Sequence, residues 1–430
     1  HLKSVVWLHR VVTQPGLARR LGTFDAVIIG LGSMLGAGVF AAFSPAAAVA
    51  GAGLLIGLAL AALVAYCNAT ASAQLAAEYP TSGGTYIYGR ERLGSWPGFI
   101  AGWGFVIGKT ASCAAMALTF AAYAAPPAWE RPVAVAAVII LATVNYYGIT
   151  RTAALTKIIV AVVLATLALV VTASLSATNA TASVRSWELL AGGWYGILQS
   201  AGLLFFAFAG YARIATMGEE VRDPARIIPR AILTALTIAV SIYLVVGAAI
   251  MIALGPAGVA ATPAPLAAAV DVAGWGWAGL PVRLGAAAAA LGALLALIAG
   301  VGRTTLAMAR HDDLPRWFAA VHERHQVPHH AEVAVAGLVC VLILVTDLRG
   351  AIGFSSFGVL LYYLIANAAA YPQSSDRRRF PRILQIIGMA GCGTLAITLP
   401  VSAVVGGTAV FAVGLGYRAL RVRLRGHDRS

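Results

Sequence analysis

Charge is what this chain has least of. Only 11% of its 430 residues are Asp, Glu, Lys or Arg, against 60% hydrophobic residues, and mean hydropathy is +0.84. A soluble protein of this size needs far more charge on its surface, so composition points to a polytopic membrane protein. Acid is scarcer than base, with 16 Asp and Glu against 30 Lys and Arg and a net charge of +14. Cys67, Cys113, Cys340 and Cys392 lie in or beside apolar runs with no C-x-x-C spacing, and read as small packing residues. The first long apolar run begins only after Arg19 and Arg20, so no cleavable signal peptide is expected. No acid/base pair or nucleophile set converges within the runs, so no catalytic residue and no enzyme is expected. The continuous polar linings and charge rings of a channel are also missing.

What the chain does have is a series of apolar runs long enough to cross roughly 30 Å of hydrocarbon. They fall near 24–48, 53–77, 96–124, 132–149, 155–175, 194–217, 230–254, 282–306, 332–346, 350–371, 383–399 and 401–418. This predicts an all-α polytopic protein of twelve transmembrane helices, the ninth short and the last two separated only by Leu399-Pro400. Basic residues test the number. With the N-terminus inside, 25 of the 30 Lys and Arg fall on the cytoplasmic side, and only Arg131, Arg185, Arg283 and Arg349 fall outside. Lys109 lies within a span. A miscount by one span would mix the two sets, so both termini are expected in the cytoplasm. The positive charge is thus topogenic, suited to anionic lipid headgroups rather than nucleic acid.

Two spans are interrupted in their middle. The first reads Gly30-Leu31-Gly32-Ser33-Met34-Leu35-Gly36-Ala37-Gly38-Val39-Phe40, and the sixth reads Phe205-Phe206-Ala207-Phe208-Ala209-Gly210-Tyr211. They occupy corresponding places in two halves of the chain. Irregular backbone at membrane depth persists only where it lines a cavity or is buried in protein, and paired breaks point to the substrate site of a secondary transporter. Unwinding at Gly36, Ala37 and Gly38 frees N–H groups at a half-helix N-terminus, a seat for a carboxylate. Carbonyls near Ile29, Gly30 and Ser33, and those of Phe206, Ala207 and Gly210, are the expected acceptors for an ammonium group. A zwitterion then needs no charged side chain, which suits an α-amino acid. For most of the 46 glycines close helix packing is the better explanation.

Four motifs stand in register. With the first break go Glu78-Tyr79-Pro80-Thr81-Ser82-Gly83-Gly84-Thr85-Tyr86 after the second span and Met217-Gly218-Glu219-Glu220-Val221-Arg222-Asp223-Pro224 after the sixth. After the eighth comes Ala307-Met308-Ala309-Arg310-His311-Asp312-Asp313-Leu314-Pro315. From about Gly22 to Tyr371 the chain resembles the amino acid–polyamine–organocation (APC) permeases, of the bacterial amino acid permease type. The resemblance implies a LeuT-like 5+5 inverted repeat with two additional C-terminal helices. It divides the chain into a cytoplasmic segment 1–23, repeat one 24–193, repeat two 194–371, the added spans 372–418 and a basic tail 419–430. It implies alternating access, an aromatic gate at Phe206, an amino acid as substrate and no cofactor. Residence in the bacterial cytoplasmic membrane and a co-transported proton are part of the same expectation.

Lys109 is the one charge deep in an apolar segment, about 20 Å along a helix from Trp96, too far to reach water without a cavity. It is the candidate coupling group, either carrying a proton or holding a carboxylate. Some cationic amino acid members carry an acid in the third span, and here that place is Gly108, followed by Lys109. A central cation disfavours cationic substrates, so a neutral amino acid moved by symport or exchange is expected. The family's usual fifth-span lysine aligns with Val163, and Lys157 lies near the cytoplasmic end, where it snorkels. A cationic amino acid or polyamine exchanger and a non-transporting sensor of the same fold are the alternatives. Glu219 and Glu220 read as a cytoplasmic ion-pair cluster with Arg222, Asp223 and Arg226. His322, His325, His329 and His330 lack a fixed ligand spacing and do not read as a metal site. The sequons at Asn68 and Asn179 are not expected to be used.

Overall fold

The computed structural model describes residues 21–36, 38–80, 83–148, 153–177, 187–218 and 220–427. Its helices, in chain order, are α1 Thr23–Met34, α2 Gly38–Ala41, α3 Phe43–Ala50, α4 Leu54–Glu78, α5 Gly84–Leu93 and α6 Ser95–Ala124. Then come α7 Glu130–Tyr146, α8 Ala153–Ser176, α9 Gly193–Phe208, α10 Ala212–Ala215, α11 Pro224–Ala260 and α12 Pro265–Val272. The remainder are α13 Gly279–Arg310, α14 His329–Val345, α15 Leu348–Ala370, α16 Arg382–Thr398 and α17 Val401–His427. Among the described residues there is no strand, only an isolated parallel bridge between Leu21 and Val221.

Ten helical stretches are long and apolar enough to cross a membrane, and α14 and α16 are shorter apolar helices of 17 residues each. The chain is therefore an integral membrane protein of many helices. At 1.5 Å per residue the 12 residues of α1 cover only about 18 Å, so α1, α2 and α3 are successive pieces of one interrupted path. Proline fixes several boundaries. Pro224 and Pro265 occupy the first turns of α11 and α12, where a missing N–H leaves nothing unsatisfied. Pro400 holds Leu399 extended (ψ 164°), and α16 turns abruptly into α17. The short helices α5 and α12 lie where the sequence reading placed only connections. Gly84, at φ +55°, starts α5 in a conformation that other residues rarely adopt.

The two ends of the bundle are held differently. At one end, Arg131 donates to the Leu344 carbonyl at the close of α14, Arg283 to that of Tyr123 on α6, and Arg349 to the Gln199 side chain of α9. At the other, charges meet charges. Asp313, almost fully buried, accepts from Arg90 at 3.0 Å, from the Tyr86 hydroxyl at 2.8 Å and from Arg418 of α17. The Arg418 guanidinium also sits over the Trp96 and Phe99 rings. Glu78 takes Arg377 at 3.0 Å, Arg92 at 3.4 Å and Gln373 at 2.6 Å. Lys157, expected only to snorkel, pairs with Asp25 at 2.7 Å, joining α8 to the start of α1.

Removing the Asp313 carboxylate leaves Arg418 buried without its partner, which costs about 3–5 kcal/mol when a buried pair loses one member. Asp313→Ala is expected to lower the thermal midpoint of the detergent-solubilised protein sharply, followed by size-exclusion fluorescence. Asp313→Ala combined with Arg418→Met should recover much of the loss. An unchanged midpoint in the single variant would show that the cluster does not hold this end together.

Candidate functional site

The two interruptions lie side by side. α1 stops at Met34 and the path resumes at Gly38, while α9 stops at Phe208 and passes through a 3-10 turn, Ala209–Tyr211, into α10. Glycine makes the approach possible. A Cβ on Gly38 would stand 2.6 Å from the Ala207 Cα, and one on Gly210 would run into the Ser33 carbonyl. Gly36 meets α13 in the same way, its Cβ position 2.6 Å from the Ala293 methyl, and Gly30 is pressed against Ile214 and Ala235. The backbone at each break has found partners in the protein. The Tyr243 hydroxyl of α11 lies 2.6 Å from the Met34 carbonyl and 3.0 Å from that of Ala207. Tyr123 donates to the Phe40 carbonyl at 3.1 Å, and Ser33 Oγ to that of Ile29 at 3.0 Å.

Beside the breaks is a cavity of about 550 Å³. Its inner part is bounded by Ser33, Phe206, Ala209 and Gly210 from the two breaks, by Lys109, Ser112 and Met116 of α6, and by Ala293 and Leu297 of α13. Its outer part is bounded by Arg213, Thr216, Glu220, Arg303 and Arg310, of which Arg303 and Arg310 are exposed. Lys109 is buried at 6% exposure, and its Nζ donates to the Ala209 carbonyl at 3.1 Å, bridging α6 to the second break. No carboxylate lies within ion-pair distance of Lys109 among the described residues. Ser112 hydrogen-bonds Ser355 at 2.6 Å, tying the Lys109 helix to α15.

Of the residues singled out from sequence, Ser33, Phe206, Gly210 and Lys109 line the cavity together. Gly30, Gly36, Gly38 and Ala207 pack behind it, where they let the helices meet. Ile29 contributes its carbonyl to Ser33, and Ala37 lies outside the described residues. Val163 is buried in α8, which packs on α1 and α13, so Lys109 is the lysine at the breaks. Glu220 pairs with Arg213 at 3.5 Å and Arg226 with Asp223 at 3.9 Å, while Glu219 lies outside the described residues.

Two features escaped the sequence reading. One face of α13 follows the cavity from Ala293, Leu297 and Gly300 to Arg303, Ala307 and Arg310, a spacing of three and four residues that was legible in principle. The other is Glu332, an acid in the first turn of α14, buried at 3% exposure with no hydrogen-bond partner for its Oε2 among the described residues. It packs against Gly302 on the side of α13 away from the cavity lining. Its cue is an acid at the head of the apolar run 332–346, after His329-His330-Ala331.

Known proteins resemble this chain in sequence. The amino acid permease family profile matches residues 21–418. An uncharacterized transporter of Mycobacterium tuberculosis is 58% identical over 405 residues, covering 94% of this chain and 92% of that protein. A branched-chain amino acid permease of Bacillus subtilis is 25% identical over 408 residues, covering 89% and 87% of the two chains. The chloroplastic cationic amino acid transporter 7 of Arabidopsis thaliana is 27% identical over 390 residues, covering 84% and 67%. The chain belongs to the amino acid permease family.

Contact between the breaks is the property most easily tested. Gly38→Ala places a methyl against the Ala207 backbone and should separate the two segments. Substrate affinity is expected to fall at least about tenfold, roughly 1.4 kcal/mol, in protein that still elutes as a single species. Gly393→Ala, whose added methyl meets nothing within 4 Å, should bind normally. Wild-type affinity in a folded Gly38→Ala variant would separate the breaks from the site.

Proposed function

We propose that this member of the amino acid permease family is a secondary active transporter, moving amino acids across the bacterial cytoplasmic membrane by alternating access. The observation that carries this reading is the juxtaposition of two interrupted helices at a cavity that also holds a buried lysine. The same reading takes α14 and α16 as the ninth and eleventh of twelve spans and the paired breaks as equivalent points of a LeuT-like inverted repeat. With the ion-paired end facing the cytoplasm, as the basic residues favour, both termini lie inside and the exposed Arg303 and Arg310 mark an opening to the cytoplasm.

The substrate is a neutral amino acid. Its contact region is built on the two breaks, with Ser33, Phe206 and Gly210 lining it and Ile29, Gly30, Gly36, Ala37, Gly38 and Ala207 in the segments that carry them. Phe206 closes over the substrate and Lys109 lies near its carboxylate. Relatives named for branched-chain and for cationic amino acids fall at similar identity, so relationship alone does not choose between them. Lys109 does. A cationic side chain beside it meets like-charge repulsion of roughly several kcal/mol in a low-dielectric cavity.

Two experiments test the reading. In proteoliposomes, neutral amino acids should compete for uptake at lower concentrations than arginine, lysine or putrescine. Arginine displacing the best neutral substrate at lower concentration would favour the cationic exchanger instead. For coupling, Lys109→Met keeps most of the side-chain volume and removes the titrating group. Accumulation driven by a pH gradient should then disappear while substrate exchange persists. Accumulation that survives the substitution would make Lys109 structural and turn attention to Glu332.

A further inference from the structure

An α-amino acid presents two charges, and the cavity is prepared for only one of them. Several backbone acceptors at the breaks are already engaged. The Ala209 carbonyl accepts from Lys109 at 3.1 Å and from the Tyr363 hydroxyl at 3.5 Å. The Ala207 carbonyl takes Tyr243, the Ile29 carbonyl takes Ser33, and the Phe206 carbonyl closes the helix on the Ala209 N–H. The Ser33 carbonyl is covered by Gly210. Of the described residues lining the cavity, Glu220 alone is a carboxylate, and it faces Arg213 at 3.5 Å. Against it stand Lys109, Arg303 and Arg310, none within ion-pair distance of a carboxylate among the described residues.

An incoming carboxylate has a clear place. It can take over the Lys109 ammonium from the neutral Ala209 carbonyl, exchanging a bond to a neutral acceptor for one to an anion. An incoming ammonium beside Lys109 finds, among the described residues, no carboxylate but Glu220, which is already paired with Arg213, and lies among like charges. The apolar neighbours Met116, Phe206 and Leu297 are indifferent to both and suit an aliphatic or aromatic side chain.

We infer that recognition is carboxylate-led, so that the site also binds 2-oxo acids, the counterparts of its amino acids in which a carbonyl replaces the amino group. This deepens the amino acid reading above and rests on it for the identity of the cavity. Arg303 and Arg310 on the face of α13 extend the same preference to the mouth, drawing carboxylates inward ahead of other groups.

The test is equilibrium binding to the purified full chain in detergent, measured by calorimetry. The probes are three matched pairs: alanine with pyruvate, leucine with 4-methyl-2-oxopentanoate, and phenylalanine with phenylpyruvate. Leucinamide, which keeps the ammonium and lacks the carboxylate, is the complementary probe. Each oxo acid is expected to bind within about tenfold of its amino acid, and leucinamide not at all. Lys109→Met should weaken both members of a pair by the same factor, at least about tenfold, so that exchange survives only at high substrate concentration. Oxo acids weaker than their amino acids by more than that factor, or leucinamide binding as well as leucine, would overturn the inference and leave amino acid transport intact. Oxo acids that bind where no amino acid does would sustain it and overturn the amino acid reading. Silence from all the probes would remove both.

Discussion

One phenol hydroxyl reaches both interrupted helices. Tyr243 lies within hydrogen-bond distance of Met34, the last residue of α1, and of Ala207 in the last turn of α9. A carbonyl at a helix end has no partner of its own, and in a bilayer core no water stands ready to supply one. A single hydroxyl proton shared by two acceptors therefore stabilises both endings and holds them to one helix, α11. The glycine contacts across the breaks, the Lys109 bond to Ala209 and the cavity itself all presuppose that arrangement. Substituting alanine at Gly38 or Gly210 attacks it from the side, by forcing apart what the hydroxyl holds together.

The cavity that results is chemically graded. Its inner end combines small and apolar side chains with one ammonium, and its outer end is basic. α13 makes the change along one face, from Ala293 and Leu297 to Arg303 and Arg310. Because these groups stand on one face of one helix, the positive potential along that face rises from Leu297 toward Arg310.

Much of this was legible in the chain itself. Apolar runs fix helices because a bilayer leaves the backbone no other common solution, and the glycine-rich stretch around Gly36 and the aromatic stretch before Gly210 marked the breaks. Lys109 was visible as a charge with no route to water. What could not be read was which glycines face the cavity. Gly36 and Gly38 looked like places for a ligand, and their α-carbons meet Ala293 and Ala207 instead, because close packing and close ligand approach leave the same residue in a sequence. The partners of the broken backbone were hidden for a related reason. Tyr243 is 209 residues from Met34, and nothing local in α11 announces its role. Glu332 was overlooked because an acid near a helix start is ordinary, and only burial makes it unusual.

The Asp313 cluster has a consequence for how the protein is made. Asp313 and Arg418 are 105 residues apart, with α14, α15 and α16 between them. At about 5–20 residues per second of synthesis, the carboxylate waits roughly 5–20 s for its second guanidinium. Arg90 and Tyr86, translated earlier, are available to it throughout. The buried acid therefore joins the nascent bundle already paired with one guanidinium, and α17 arrives as the closing element. Assembly of this end follows the order of synthesis, with the final helix bringing the second guanidinium to an acid that already has its first.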